Sequence, residues 1–166
     1  MSTPVPAQVR DLLGVPEDLY GSQYRAHVLD LYKVYVQSAD EISKRRNSAS
    51  TFFLTINTAG IAFLGTVRSS QSFHAPWYVA IALAGVTLSL VWQRTIQSYR
   101  DLNTAKFAVI HEIERLLPLK LFDAEWSIVG RGTSEKLYLP VSQLESRVPW
   151  VFFGLYVALL LSVFWT

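Results

Sequence analysis

The chain has 166 residues, 51% of them hydrophobic and only 17% charged, and it contains no cysteine. The missing thiol excludes disulfides, thiolate metal sites and cysteine nucleophiles. With 15 Lys and Arg against 13 Asp and Glu the formal net charge is +2, so no concentrated basic face points to nucleic acid.

Residues 1–21 hold Pro4, Pro6, Gly14 and Pro16, which predicts a loosely ordered N-terminal arm with a short helix at 7–13. No basic stretch followed by an apolar one opens the chain, so a cleavable signal peptide is not expected. Gly21 and Ser22 supply a helix start with Ser22 as N-cap. From there to Arg68 no proline occurs. Tyr24, Val28, Leu31, Tyr35, Ser38 and Ile42 recur at alternating spacings of four and three, a coiled-coil-like seam.

Three runs, 51–67, 76–92 and 148–165, are apolar and free of Asp, Glu, Lys and Arg. At 1.5 Å per residue each extends about 26 Å, close to the ~30 Å hydrocarbon core of a bilayer once flanking Trp and Tyr are counted. They predict three membrane-spanning helices. The second helix continues beyond its span to 117, where Pro118 stops it, and repeats Tyr99, Leu102, Lys106, Val109, Ile113 and Leu116, with Phe107 and Ile110 widening the stripe. The predicted organisation is an arm at 1–21 and a long helical hairpin at 22–117. The hairpin comprises a cytoplasmic part at 22–50, spans at 51–68 and 76–93, and a cytoplasmic part at 94–117. A cytoplasmic linker at 118–147 and a third span at 148–166 follow. Within the linker, 136–139 reads as an extended piece before Pro140 and 141–147 as a helical lead, with Pro149 marking a kink or a first helical turn.

Basic residues close to the spans fix the expected orientation. Lys44, Arg45 and Arg46 precede the first span, Arg94 and Arg100 follow the second, and Arg147 precedes the third, whereas the loop at 68–75 holds Arg68 alone. The positive-inside rule then places the N-terminus in the cytoplasm and the C-terminus outside. Trp77, Tyr78 and Trp165 are expected at the outer interface, Trp92 and Trp150 at the inner one.

The chemistry-bearing candidates are few. His111 and Glu112 open like a zinc-protease helix, but Arg115 stands where a second His is required, so a solvated charged turn is expected. Gly130 and Gly132 lack the further glycine and helix of a phosphate loop and read as a turn. His27, His74 and His111 are too far apart for a metal cluster. No cofactor and no enzymatic activity are expected. Asn57, an amide inside the first span, reads as helix–helix glue or as a polar ring lining a pore, with Thr51, Thr55 and Thr58 beside it. Ala59, Ala62, Ala80, Ala84 and Gly85 offer small faces for close helix approach. Lys44, Arg45 and Arg46 with Asp40 and Glu41 form a membrane-interface charge cluster, expected as a solvated patch that sets topology, with bridging to the adjacent helix or binding of anionic headgroups as alternatives.

Several segments carry a resemblance. Leu31-Tyr-Lys-Val-Tyr-Val-Gln-Ser-Ala-Asp40, Ser43-Lys-Arg-Arg-Asn47 with Phe52-Phe-Leu-Thr-Ile-Asn-Thr58, and Trp92 with Ser98-Tyr-Arg-Asp-Leu-Asn-Thr-Ala-Lys-Phe107 come first. Ile113-Glu-Arg-Leu-Leu-Pro118, Glu125-Trp126 and the Pro149 lead into the last span complete the set. Over roughly residues 25–160 the chain resembles the RipA-like small octameric bacterial membrane protein family. The resemblance implies a bacterial inner-membrane protein that assembles as a homo-octamer without established enzymatic activity, and it supplies no catalytic residues. The expected function is an oligomeric scaffold or adaptor with a cytoplasmic helical crown that can recruit a cytoplasmic protein; the alternative is an oligomeric channel or membrane-disrupting effector. Leu31, Tyr35 and Ile42 are the expected oligomer seam.

Overall fold

The computed structural model describes residues 14–69, 75–130 and 144–163, and every regular element among them is helical. Five helices follow in chain order: α1 Glu17–Tyr20, α2 Tyr24–Ser69, α3 Ala75–Glu114, α4 Leu121–Ile128 and α5 Val148–Ser162. α2 and α3, 46 and 40 residues long, are each long and apolar enough to cross a membrane; α5 is a shorter apolar helix of 15 residues. The chain is an all-α protein of membrane type, as its charge-free runs predict. The helix expected at 7–13, the extended piece at 136–139 and Trp165 lie outside the described residues.

Helix limits follow from local chemistry. Gly21, at φ +94°, closes α1, and Tyr24 N–H bonds back to Gly21 O at 3.1 Å, so α2 begins at Tyr24 rather than at Ser22. α3 ends at Glu114, short of the expected 117, because Pro118 disfavours helical backbone at Leu117. Its last turn tightens into i→i+3 bonds, Arg115 N–H to Glu112 O at 3.2 Å and Leu116 N–H to Ile113 O at 2.9 Å. α5 carries Pro149 in its first turn, where a missing N–H costs nothing. Of the helical lead expected at 141–147, Leu144 and Glu145 are helical and a turn follows at 146–147; residues 141–143 lie outside the described part.

Threonines survive inside the apolar helices by donating to their own backbone. Thr55 bonds Thr51 O at 2.9 Å, Thr58 bonds Leu54 O at 2.8 Å and Thr87 bonds Leu83 O at 3.0 Å. Each hydroxyl proton is thereby satisfied without water.

The chain divides into two compact units, one from residues 1–42 and 101–138, the other from 43–100 and 139–166. In the first, Ala39, Ile42, Ile110 and Ile113 are buried, and Phe122 brings its ring to 5.6 Å from Phe107 and 6.4 Å from Tyr32. In the second, Leu64, Tyr78, Ala82 and Tyr156 form a core flanked by Ile61, Val86 and Leu159. Trp92 is buried too, stacked on Phe53 at 6.0 Å and 12°, with Phe152 at 5.9 Å. Two expectations change here. Tyr78 and Trp92 turn into the protein instead of belting the interface, because their helix face meets other helices; Trp77 and Trp150 are exposed. Ala59, Ala62, Ala80 and Ala84 are likewise exposed, and on the spanning part of α3 Ala82, Gly85 and Ser89 are buried instead.

Candidate functional site

The three-helix contact of the second unit is built around Asn57, whose side chain is completely buried. Its amide Nδ2 donates to Phe53 O at 2.8 Å, and its Oδ1 accepts from Ser89 Oγ of α3 at 3.4 Å. The same Ser89 proton is shared with Gly85 O, the nearer acceptor at 2.9 Å. From α5, Tyr156 Oη donates to Asn57 O at 3.0 Å. The Tyr156 ring reaches that carbonyl only because two glycines make room. A methyl at Gly60 would stand 2.6 Å from Tyr156 Oη, and one at Gly85 would overlap the ring itself. Asn57 and its partners therefore tie α2, α3 and α5 together at one point, with the amide buried inside the chain.

Nearer the start of α5, Arg46 Nε lies 3.3 Å from Glu145 Oε2, both side chains three-quarters or more buried. The cluster Lys44, Arg45 and Arg46 is thus divided: Arg46 turns inward to the lead of α5, while Lys44 and Arg45 are exposed. Arg68, at the far end of α2, bonds Ser162 Oγ. Both ends of α5 are pinned by an arginine of α2.

The first unit holds a second polar centre. The Glu114 carboxylate is fully buried and accepts from Tyr32 Oη at 3.1 Å, from Phe122 N–H at 2.8 Å and from Asp123 N–H at 3.3 Å; His111 Nδ1 lies 3.2 Å away. Phe122 and Asp123 open α4, so Glu114 caps that helix from outside it and meets the positive end of its dipole. Burial, then the hydrogen bond to Glu114 and its charge, raise the Tyr32 phenol above its ordinary range. Glu112 is also buried and pairs with Arg115 at 2.9 Å. The solvated turn expected at His111–Arg115 is overturned: both carboxylates fold inward, because α4, the His111 ring and the Arg115 guanidinium supply what water would have. Lys106 is half-buried, donating to Ser38 Oγ at 2.7 Å with its ammonium 4.6 Å above the Tyr35 ring.

Among the expected seam residues, Ile42 is buried and Tyr35 half-buried within the unit, whereas Leu31 is 63% exposed. The face turned inward on α2 runs through Val28, Tyr32, Tyr35, Ala39 and Ile42; on α3 it runs through Asn103, Lys106, Ile110 and Ile113, leaving Leu102 and Leu116 outside. Sequence reasoning missed Tyr156 and Glu145, and placed Glu114 in a solvated turn rather than in a buried one. The glycines Gly60 and Gly85 were the one available signal for the first of these. Among the described residues no group of His, Asp or Glu could hold a metal ion.

These features define a multi-helix membrane protein whose polar side chains fasten helices to one another. The chain belongs to the Octameric membrane protein family (8xMP), whose family model matches residues 29–165. That match takes in all of α3, α4 and α5 and nearly all of α2. No curated protein and no solved structure matches the chain.

Proposed function

We propose that the chain assembles as a homo-octameric scaffold or adaptor in a bacterial inner membrane, with the first unit forming a cytoplasmic crown and no enzymatic activity of its own. The observation that carries the reading is apolar surface outside the charge-free runs. Leu31 and Val34 are each 63% exposed on a stretch of α2 otherwise lined by Asp30, Lys33 and Gln37, and α4 leaves Leu121 and Ile128 open, the latter 80% exposed. Such side chains in water favour burial against a second copy, at about 1.5–3 kcal/mol for each one fully covered. The family's printed description supports the octameric count.

Placement of Asn57 favours the scaffold over the channel. An amide with no exposed surface in a single chain cannot line an axis shared between chains, and the neighbouring Thr55 and Thr58 hydroxyl protons are already spent on the backbone. The mass of the detergent-extracted particle tests the reading. Leu31→Glu with Val34→Glu should lower it below that of an octamer without impairing membrane insertion. An unchanged mass by multi-angle light scattering defeats the crown as an assembly surface. Ion conductance by wild-type protein in planar bilayers would instead support the channel.

A further inference from the structure

Where the apolar run of α3 ends, its outer face carries a shallow groove lined by Leu90, Val91, Arg94, Thr95, Ser98 and Tyr99. The two ends of the groove differ in chemistry. Leu90 and Val91 are exposed and belong to the charge-free run 76–92, and Arg94 is the first charge after it. At 1.5 Å per residue Arg94 to Tyr99 lie about 3–10 Å past the run's last residue, the depth at which lipid phosphates sit above the hydrocarbon. Arg94 is exposed and has no carboxylate within ion-pair distance among the described residues, in contrast to Arg46, which Glu145 neutralises. Thr95 has already given its proton to Val91 O at 2.9 Å, which leaves Ser98 and Tyr99 as the hydroxyl donors beside the guanidinium.

We propose that this groove binds one membrane phospholipid of anionic headgroup, with its phosphodiester on Arg94, Ser98 and Tyr99 and an acyl chain along Leu90 and Val91. An arginine presents paired N–H donors that match two phosphate oxygens, and its uncompensated charge selects a lipid with net negative charge over a zwitterion. The adjoining apolar strip selects an amphiphile over free phosphate. A second copy of the chain suits the groove less, since it would have to cover an arginine that this chain leaves unneutralised.

The test uses full-length protein in nanodiscs of mixed phosphatidylglycerol and phosphatidylcholine, with the lipids retained per chain counted by native mass spectrometry. Wild type should retain phosphatidylglycerol in preference to phosphatidylcholine. Arg94→Gln should weaken that preference about fivefold, the equivalent of roughly 1 kcal/mol for one basic residue at the surface. Arg94→Lys, which keeps the charge, should restore most of it, and particle mass should stay constant throughout. Equal retention of phosphatidylglycerol by wild type and Arg94→Gln overturns the proposal. So does a particle that falls apart when Arg94 is replaced, because the groove's occupant is then a neighbouring copy. The count is taken per chain, so its outcome does not depend on the octamer.

Discussion

At the level of single residues, the two buried polar centres have different tolerances. Asn57→Leu removes the more distant acceptor of Ser89, which keeps Gly85 O, and leaves Tyr156 its acceptor, a main-chain oxygen. The expected loss is up to about 2 kcal/mol, read as a lower midpoint of thermal unfolding in detergent. Tyr32 answers to pH. A phenol whose folded-state pKa is raised contributes stability in full below its unfolded value of about 10, and that contribution is lost as pH climbs through the folded value. Tyr32→Phe should therefore be less stable than wild type near neutrality by about 1 kcal/mol, the worth of one hydrogen bond. The difference should shrink as unfolding is followed from about pH 8 to about pH 11. A gap that widens at alkaline pH contradicts the bond to Glu114.

At the level of helices, the third apolar helix is held by shape as much as by bonding. Gly85→Ala sets a methyl inside the Tyr156 ring and should cost about 1–3 kcal/mol as overpacking, whereas Tyr156→Phe removes only the bond to Asn57 O, about 0.6–2 kcal/mol. The two losses should not add, since an expelled ring has no bond left to lose; a double-mutant cycle on thermal unfolding measures the coupling, and full additivity contradicts the shared slot. Existence and type of the three apolar helices were legible because charge-free runs of spanning length have few other solutions. The contacts of α5 were not. A uniformly apolar helix has no polar face from which to read orientation, so nothing singled out Tyr156 from its neighbours. On α2 the apolar Leu31 drew the seam, but Tyr32 turns inward because its hydroxyl finds Glu114. That acceptor was itself illegible, since α4 is short and its cap lies outside it, on α3 rather than at Lys120.

At the level of the molecule, orientation is open to direct measurement. Single cysteines at Ser22, Ser70 and Thr166, in a chain that has none, can be probed in cells with a membrane-impermeant thiol reagent. Reagent should reach Ser70 and Thr166 and leave Ser22 untouched, as the basic residues near the spans require; labelling at Ser22 reverses the topology. The glycine slot adds a dimension of time. Gly60 and Gly85 emerge from the ribosome well before Tyr156, and the roughly 70 residues between Gly85 and Tyr156 take about 4–14 s to synthesise at 5–20 residues per second. For that interval nothing in the chain itself can fill the space beside Gly60 and Gly85, and the last helix of a neighbouring copy carries the same ring as the one still being made. The contact that closes the second unit is thus among the last of its contacts that synthesis makes available, since its ring is supplied by the last helix.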